Sequence, residues 1–278
     1  MIKKTIEVLG TKGDLTTFLL TLGTGLLFAL IVKEPVICND SHFYLKYSRD
    51  IDQAGLAFYS ETKLPFYYWL FPTVLSSITR FNAENVIPIY IFIQCILWAG
   101  VSFFTYKIFE LLTNRKTISL ACGLATGLIP EALQWSAYFL SDILFIFLFS
   151  AFSFLLISII TRDNFCRKKA AILIALGILI TLSRPTGFIV TALGTVVLLL
   201  HLFQKKQIKA SICIILIYAI SGLFIISLSP NDQSESPESR VTVSGYLLLF
   251  KELFSTGTII HDRPQLSKAP LPEDSGSI

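Results

Sequence analysis

Charge is what this sequence has least of. Only 15% of its 278 residues are Asp, Glu, Lys or Arg, against about a quarter in an average soluble domain. That is too little ionised surface for an ordinary water-facing fold. The five cysteines, Cys38, Cys95, Cys122, Cys166 and Cys213, are scattered and mostly lie within apolar runs. None makes a CxxC metal pair, and their odd number argues against a disulfide framework. They read as small apolar packing residues. Three histidines far apart give no ligand spacing. Glycine-rich phosphate loops, internal repeats and the strict alternation of a β-barrel are also missing. The net charge of +4 is spread over short clusters between apolar runs. With no basic soluble face, nucleic acid is excluded as a partner.

What is present is apolar sequence in long stretches. The chain is 53% hydrophobic with a mean hydropathy of +0.67. The clearest runs are residues 15–32, 86–106, 117–135, 143–160, 170–182, 187–203 and 208–228. A hydrocarbon core of about 30 Å takes roughly 20 helical residues, and backbone in lipid must satisfy its own hydrogen bonds. The chain therefore reads as an all-α polytopic membrane protein of about seven spans. The run 170–182 is short, and the snorkelling stem of Arg184 extends it. Lys3, Lys4 and Lys12 precede the first run, and Lys33-Glu34-Pro35 after it offers no small-x-small cleavage site. It reads as an uncleaved span and not as a signal peptide.

Residues 64–78 decide the topology. They form a run of about 15 apolar residues holding Pro65 and Pro72, short for a crossing. If the run does not cross, four basic clusters share one side: Lys3/Lys4/Lys12, Lys107/Arg115/Lys116, Arg162/Arg167/Lys168/Lys169 and Lys205/Lys206/Lys209. The positive-inside rule makes that side cytoplasmic. Asp40, Asp50, Asp52, Glu84, Glu131, Asp142 and Arg184 then share the other, with Lys33, Lys46, Arg49, Lys63 and Arg80 spread along its long first loop and counting against this arrangement. Residues 64–78 are accordingly expected as an interfacial helix, broken by Pro72, within a long outer loop 33–85. The expected organisation is a plasma (inner) membrane module, residues 1–229, with the N-terminus cytoplasmic. A flexible extracytoplasmic tail, residues 230–278, rich in Pro, Ser and Glu at its start, follows it.

The chemistry-bearing residues sit in three outer segments. The first is the polar island from Cys38 to Asp52, where Asn39 and Asp40 suit a helix N-terminus. Tyr44, Tyr47, Ile51, Ala54 and Phe58 recur at steps of three and four, the period of one helix face. An amphipathic helix lying in the interface is expected. The second segment runs from Pro130 through Glu131, Trp135 and Tyr138 to Asp142, and the third is Arg184-Pro185-Thr186-Gly187. Ionisable groups at membrane depth are functional candidates by default. A carboxylate there can act as general base toward an acceptor hydroxyl, and an arginine can neutralise a phosphate through a bidentate contact. Tyr44, Tyr47, Trp135 and Tyr138 can stack on a sugar, and His42 stands beside Asp40. The plain reading of each piece is a cap, a stop signal or an interfacial aromatic.

In order and sidedness these segments resemble the GT-C glycosyltransferase superfamily. Asp40-x-x-x-Tyr44-x-x-x-Ser48 is similar to its first-loop motif, Pro130 with Ser141-Asp142 to its second, and Thr181-Leu182-Ser183-Arg184-Pro185-Thr186-Gly187 to an arginine-proline signature. The nearest branch resembles bacterial relatives of the protein O-mannosyltransferases and the lipid A aminoarabinose transferase. The resemblance covers residues 15–203. It implies an inverting hexosyl-type transferase using a polyprenyl-phosphate-linked sugar on the extracytoplasmic face, with a glycan, lipid or protein acceptor. It makes Asp40 and Asp142 the catalytic carboxylates. Arg184, Tyr44, His42, Glu131, Trp135 and Tyr138 become substrate contacts. No metal ligands are assigned, and a divalent cation stays open as cofactor. The chain departs from the family in having Lys63-Leu64-Pro65 where a His-Pro-Pro-like start is usual, and in being short. The alternatives are a transporter or flippase, which would place charge at the bilayer midplane, and a non-catalytic truncated relative.

Overall fold

A computed structural model describes residues 12–32, 35–37, 39–55, 58, 68–82, 84–163, 165–207, 212 and 215. All belong to one unit, residues 1–230. Outside the described residues lie the second unit (231–278), the motif Lys63-Leu64-Pro65 and, apart from Ile212 and Ile215, the expected seventh span. The elements in order are α1 (Gly13–Val32), α2 (Asn39–Ala54), α3 (Leu70–Phe81), α4 (Val86–Thr113), α5 (Lys116–Gly127), α6 (Pro130–Trp135), α7 (Asp142–Arg162), α8 (Arg167–Thr181) and α9 (Pro185–Gln204). Among the described residues four helices are long and apolar enough to cross a membrane: α1, α4, α7 and α9 from Thr186 onward. With 12 and 15 residues, α5 and α8 reach only about 18 and 22 Å.

Prolines explain two differences from the sequence expectation. The run 117–135 is not one helix, because Pro130 forces Ile129 into an extended conformation, φ −60° and ψ 119°. Helix α5 stops at Gly127, and α6 restarts with Pro130 at its first position, where no amide hydrogen is needed. Pro72, expected to break a helix, instead lies in the first turn of α3. Amides of a first turn have no intrahelical partner, so the ring displaces nothing.

Helix α4 is the hub, packed by α1, α5, α7 and α3, while α8 and α9 extend the bundle from α7. Contacts at the helix ends show alternating direction. At one end Lys107 of α4 pairs with Asp14 of α1 at 2.7 Å, and Lys205 beyond α9 pairs with Asp163 beyond α7 at 2.7 Å. At the other end Arg184 before α9 meets Asp142 of α7. Helices α2 and α3 sit at that second end. The amide of Leu70, first in α3, donates to the carbonyl of Leu182 (3.0 Å), and Arg80 in its last turn pairs with Asp52 of α2.

Helix α1 packs by small residues. Only Gly13, Thr17, Thr21 and Gly25 are buried, one per turn, the small-xxx-small spacing that lets backbones approach where lipid removes any hydrophobic drive. Thr21 donates to Ser102 of α4 (3.0 Å), Ser102 donates to the Gly123 carbonyl of α5 (2.7 Å), and the Trp98 indole donates to the Gly127 carbonyl (3.0 Å). A Cβ on Gly127 would collide with the Thr21 hydroxyl and meet Ser102 Oγ at 2.8 Å, whereas one on Gly23 would meet nothing within 4 Å. Gly127→Val is therefore expected to cost about 1–3 kcal/mol by overpacking, seen as a lower melting temperature in detergent. Gly23→Val should leave that temperature nearly unchanged.

Candidate functional site

Backbone bonds between loops build the site end. The Val36 amide donates to the Ala137 carbonyl (2.9 Å), and the Phe139 amide donates to the Val36 carbonyl (3.1 Å). The chain just after α1 is thus paired, as a short parallel bridge, to the segment leading into α7. Ser41 of α2 donates to the Phe139 carbonyl (2.8 Å), and Tyr90 of α4 donates to the Leu140 carbonyl (3.0 Å). Beneath lies an aromatic cluster. Phe71 makes edge contacts with Tyr44 (4.6 Å between centroids) and Tyr90 (4.9 Å) and a tilted contact with Phe139 (5.8 Å). The three outer segments named from the sequence are therefore tied into one surface.

Three helix N-termini meet on that surface, those of α2, α7 and α9. Asp40 is the second residue of α2 and solvent-exposed, Asp142 is the first of α7, and Arg184 immediately precedes α9. Arg184 Nη2 donates to Asp142 Oδ2 at 2.5 Å. The carboxylate is 12% exposed and the guanidinium 35%, so the pair lies at the boundary between bundle and solvent. The phenol of buried Tyr44 shares a 3.4 Å hydrogen bond with Ser141 Oγ. Burial, followed by the Asp40 charge, pushes the Tyr44 and Tyr68 phenols above their ordinary pKa, and Arg184 pulls both back.

Asp40, Tyr44, Asp142 and Arg184 thus come together, while the other expected contacts do not join them. His42 is exposed, turned about 200° from Asp40 around α2. Glu131 and Tyr138 line a separate groove, and Trp135 stands half-exposed on α6. Tyr68 is an addition that sequence reasoning missed, and Ser141 figures there only within the Ser141-Asp142 motif, with no role of its own. Ser141 carries no signal of its own. Tyr68 was detectable only as part of the aromatic run Phe66-Tyr67-Tyr68-Trp69. Among the described residues no three His, Cys, Asp or Glu side chains gather as a cation site. The donor set nearest the surface is two carboxylates, one already engaged by Arg184.

The class this defines is an α-helical protein with, among the described residues, four helices long and apolar enough to cross a membrane, and with the Arg184–Asp142 pair and Asp40 at one end of its bundle. No family model, curated protein or solved structure matches the chain.

Proposed function

We propose that the chain is a membrane glycosyltransferase that moves a sugar, with inversion, from a polyprenyl-phosphate donor to an acceptor hydroxyl on the extracytoplasmic face. The observation that carries this reading is the Arg184–Asp142 pair on the surface where the start of α2, bearing exposed Asp40, is tied through Ser41 and Tyr44 to the segment before α7. Helix N-termini and a guanidinium suit a phosphate, and an exposed carboxylate beside them suits a general base. Asp40 takes the acceptor proton as the acceptor oxygen bonds to the anomeric carbon. The bond from that carbon to the phosphate oxygen breaks, and polyprenyl phosphate leaves with the electron pair toward Arg184. Asp142 holds the guanidinium in place.

Sidedness follows from charge. Lys12, Lys107, Arg115, Lys116, Arg162, Lys168, Lys169, Lys205 and Lys206 belong to the opposite end of the bundle, which the positive-inside rule makes cytoplasmic. On this reading α2 and α3 lie in the outer interface, and α5 and α8 complete a set of crossings of unequal length.

The test is turnover of polyprenyl-phosphate sugars by the purified protein in liposomes. Release of polyprenyl phosphate with a new glycoside is the expected result. No turnover across several donor sugars and acceptors would overturn the transferase.

A further inference from the structure

Of the grooves along the described helices, one differs from two others in its polar rim. A groove of about 500 Å³ is walled by side chains such as Phe18, Ile96, Phe103 and Phe147, and its one carboxylate, Asp14, is held by Lys107. A groove of about 340 Å³ beside the end of α1 has only apolar or small side chains. The third, about 400 Å³, runs between the end of α1 and α6. Its walls include Phe28, Val32 and Val36, and its rim carries Glu131, Gln134 and Tyr138. None of those three polar side chains has a hydrogen-bond or ion-pair partner among the described residues.

The groove borders the lipid-facing side of α1, where Leu27, Leu30 and Ile31 are 58%, 74% and 68% exposed. Its apolar wall comes from a helix able to span the membrane, and its polar rim from α6 and the segment after it, which lie beside the end of that helix. Such a gradient, apolar along one wall and polar at the mouth, matches an amphiphile entering sideways from the bilayer. Glu131 decides the head group. An ionised carboxylate offers acceptors only and attracts a cation, while Gln134 and Tyr138 can bond a neighbouring phosphate or ester.

From this, the geometry points to a lipid site in the groove between α1 and α6, one that takes a membrane lipid with a primary ammonium head group. The chain lies against Phe28 and Val32, and the ammonium sits on Glu131. This site is separate from the Asp40–Asp142–Arg184 surface and stands independently of the transferase reading.

The protein carries its own probe. Of its three tryptophans, Trp69 and Trp98 are buried at 8% and 5% exposure, while Trp135 is 46% exposed and follows Glu131 by one turn of α6. The full chain is placed in phosphatidylcholine nanodiscs, and chain-brominated phosphatidylethanolamine or chain-brominated phosphatidylcholine is added at matched mole fractions. Tryptophan quenching is then read, with Trp135→Phe identifying the Trp135 signal. Brominated phosphatidylethanolamine is expected to half-quench at about fivefold lower mole fraction, the preference one interfacial ion pair supplies. Glu131→Gln should bring the two curves together with no change in melting temperature. Coincident curves in the unsubstituted protein would overturn the site. So would a preference that survives Glu131→Gln, or equally strong quenching by brominated phosphatidylglycerol, which has no ammonium.

Discussion

Asp40→Asn is expected to lower the turnover of a polyprenyl-phosphate sugar by about 10²–10⁴-fold, the range a positioned general base supplies. The substitution keeps shape and hydrogen-bonding reach but removes the group proposed to accept the proton. The loss should fall on kcat with KM little changed, because a base that acts in the transition state adds little to ground-state binding. Stability should change by no more than about 1 kcal/mol, the worth of a carboxylate in an exposed first helical turn. Folding and chemistry can therefore be read separately in one variant. Equal turnover by both proteins would remove Asp40 from the centre of the reaction and leave the transferase standing. The Arg184–Asp142 pair behaves differently, since either partner alone leaves a charge only part-exposed at the bundle boundary.

Phe71→Ala is expected to cost about 3–5 kcal/mol, the usual penalty for truncating a buried phenylalanine. Phe71 is 1% exposed and is the ring through which Tyr44 of α2, Tyr90 of α4 and Phe139 of the loop before α7 are packed together. Its loss opens a cavity under the surface that carries Asp40 and Asp142. Thermal unfolding in detergent should show a clearly lowered midpoint, and proteolysis should reach the chain around α2 and α3 sooner than the helices of the bundle. A midpoint within a degree or two of the original would mean that α3 does not hold this surface together.

Periodicity in the sequence reached as far as α2. The spacing of Tyr44, Ile51 and Phe58 marks a buried face, and all three are buried. Tyr47 and Ala54, expected on the same face, are half-buried and exposed. The centre of that face is rotated toward Ser41 and Ser48, two residues that hydropathy assigns to water and that are 0% and 1% exposed. Both hydroxyls close on backbone carbonyls, Ser41 on Phe139 and Ser48 on Leu45, so burial leaves them paired. The packing face of α1 was illegible for the same reason. Threonine and glycine carry no apolar signal, yet they are what lets α1 approach α4 and α5.

The candidate site divides along the same line. The sequence by itself determined that the chain is helical and apolar enough for a membrane, and that Asp40, Asp142 and Arg184 lie in segments apart from its basic clusters. Run length and charge are local quantities, and they survive without knowledge of neighbours. Only the tertiary structure decided which of the gathered residues share a surface. The bridge of Tyr138 to Val36 and the tight turn after it, in which the Leu140 amide donates to the Tyr138 carbonyl (2.9 Å) and Ser141 is already helical (φ −80°, ψ −7°), set the directions of residues 138–141. Tyr138 therefore faces the groove with Glu131, Phe139 enters the aromatic cluster, and Ser141 reaches Tyr44 beside Asp142. The bridge to Val36 and the packing of the bundle were needed to set those directions, and nothing in the spacing of those residues could supply either.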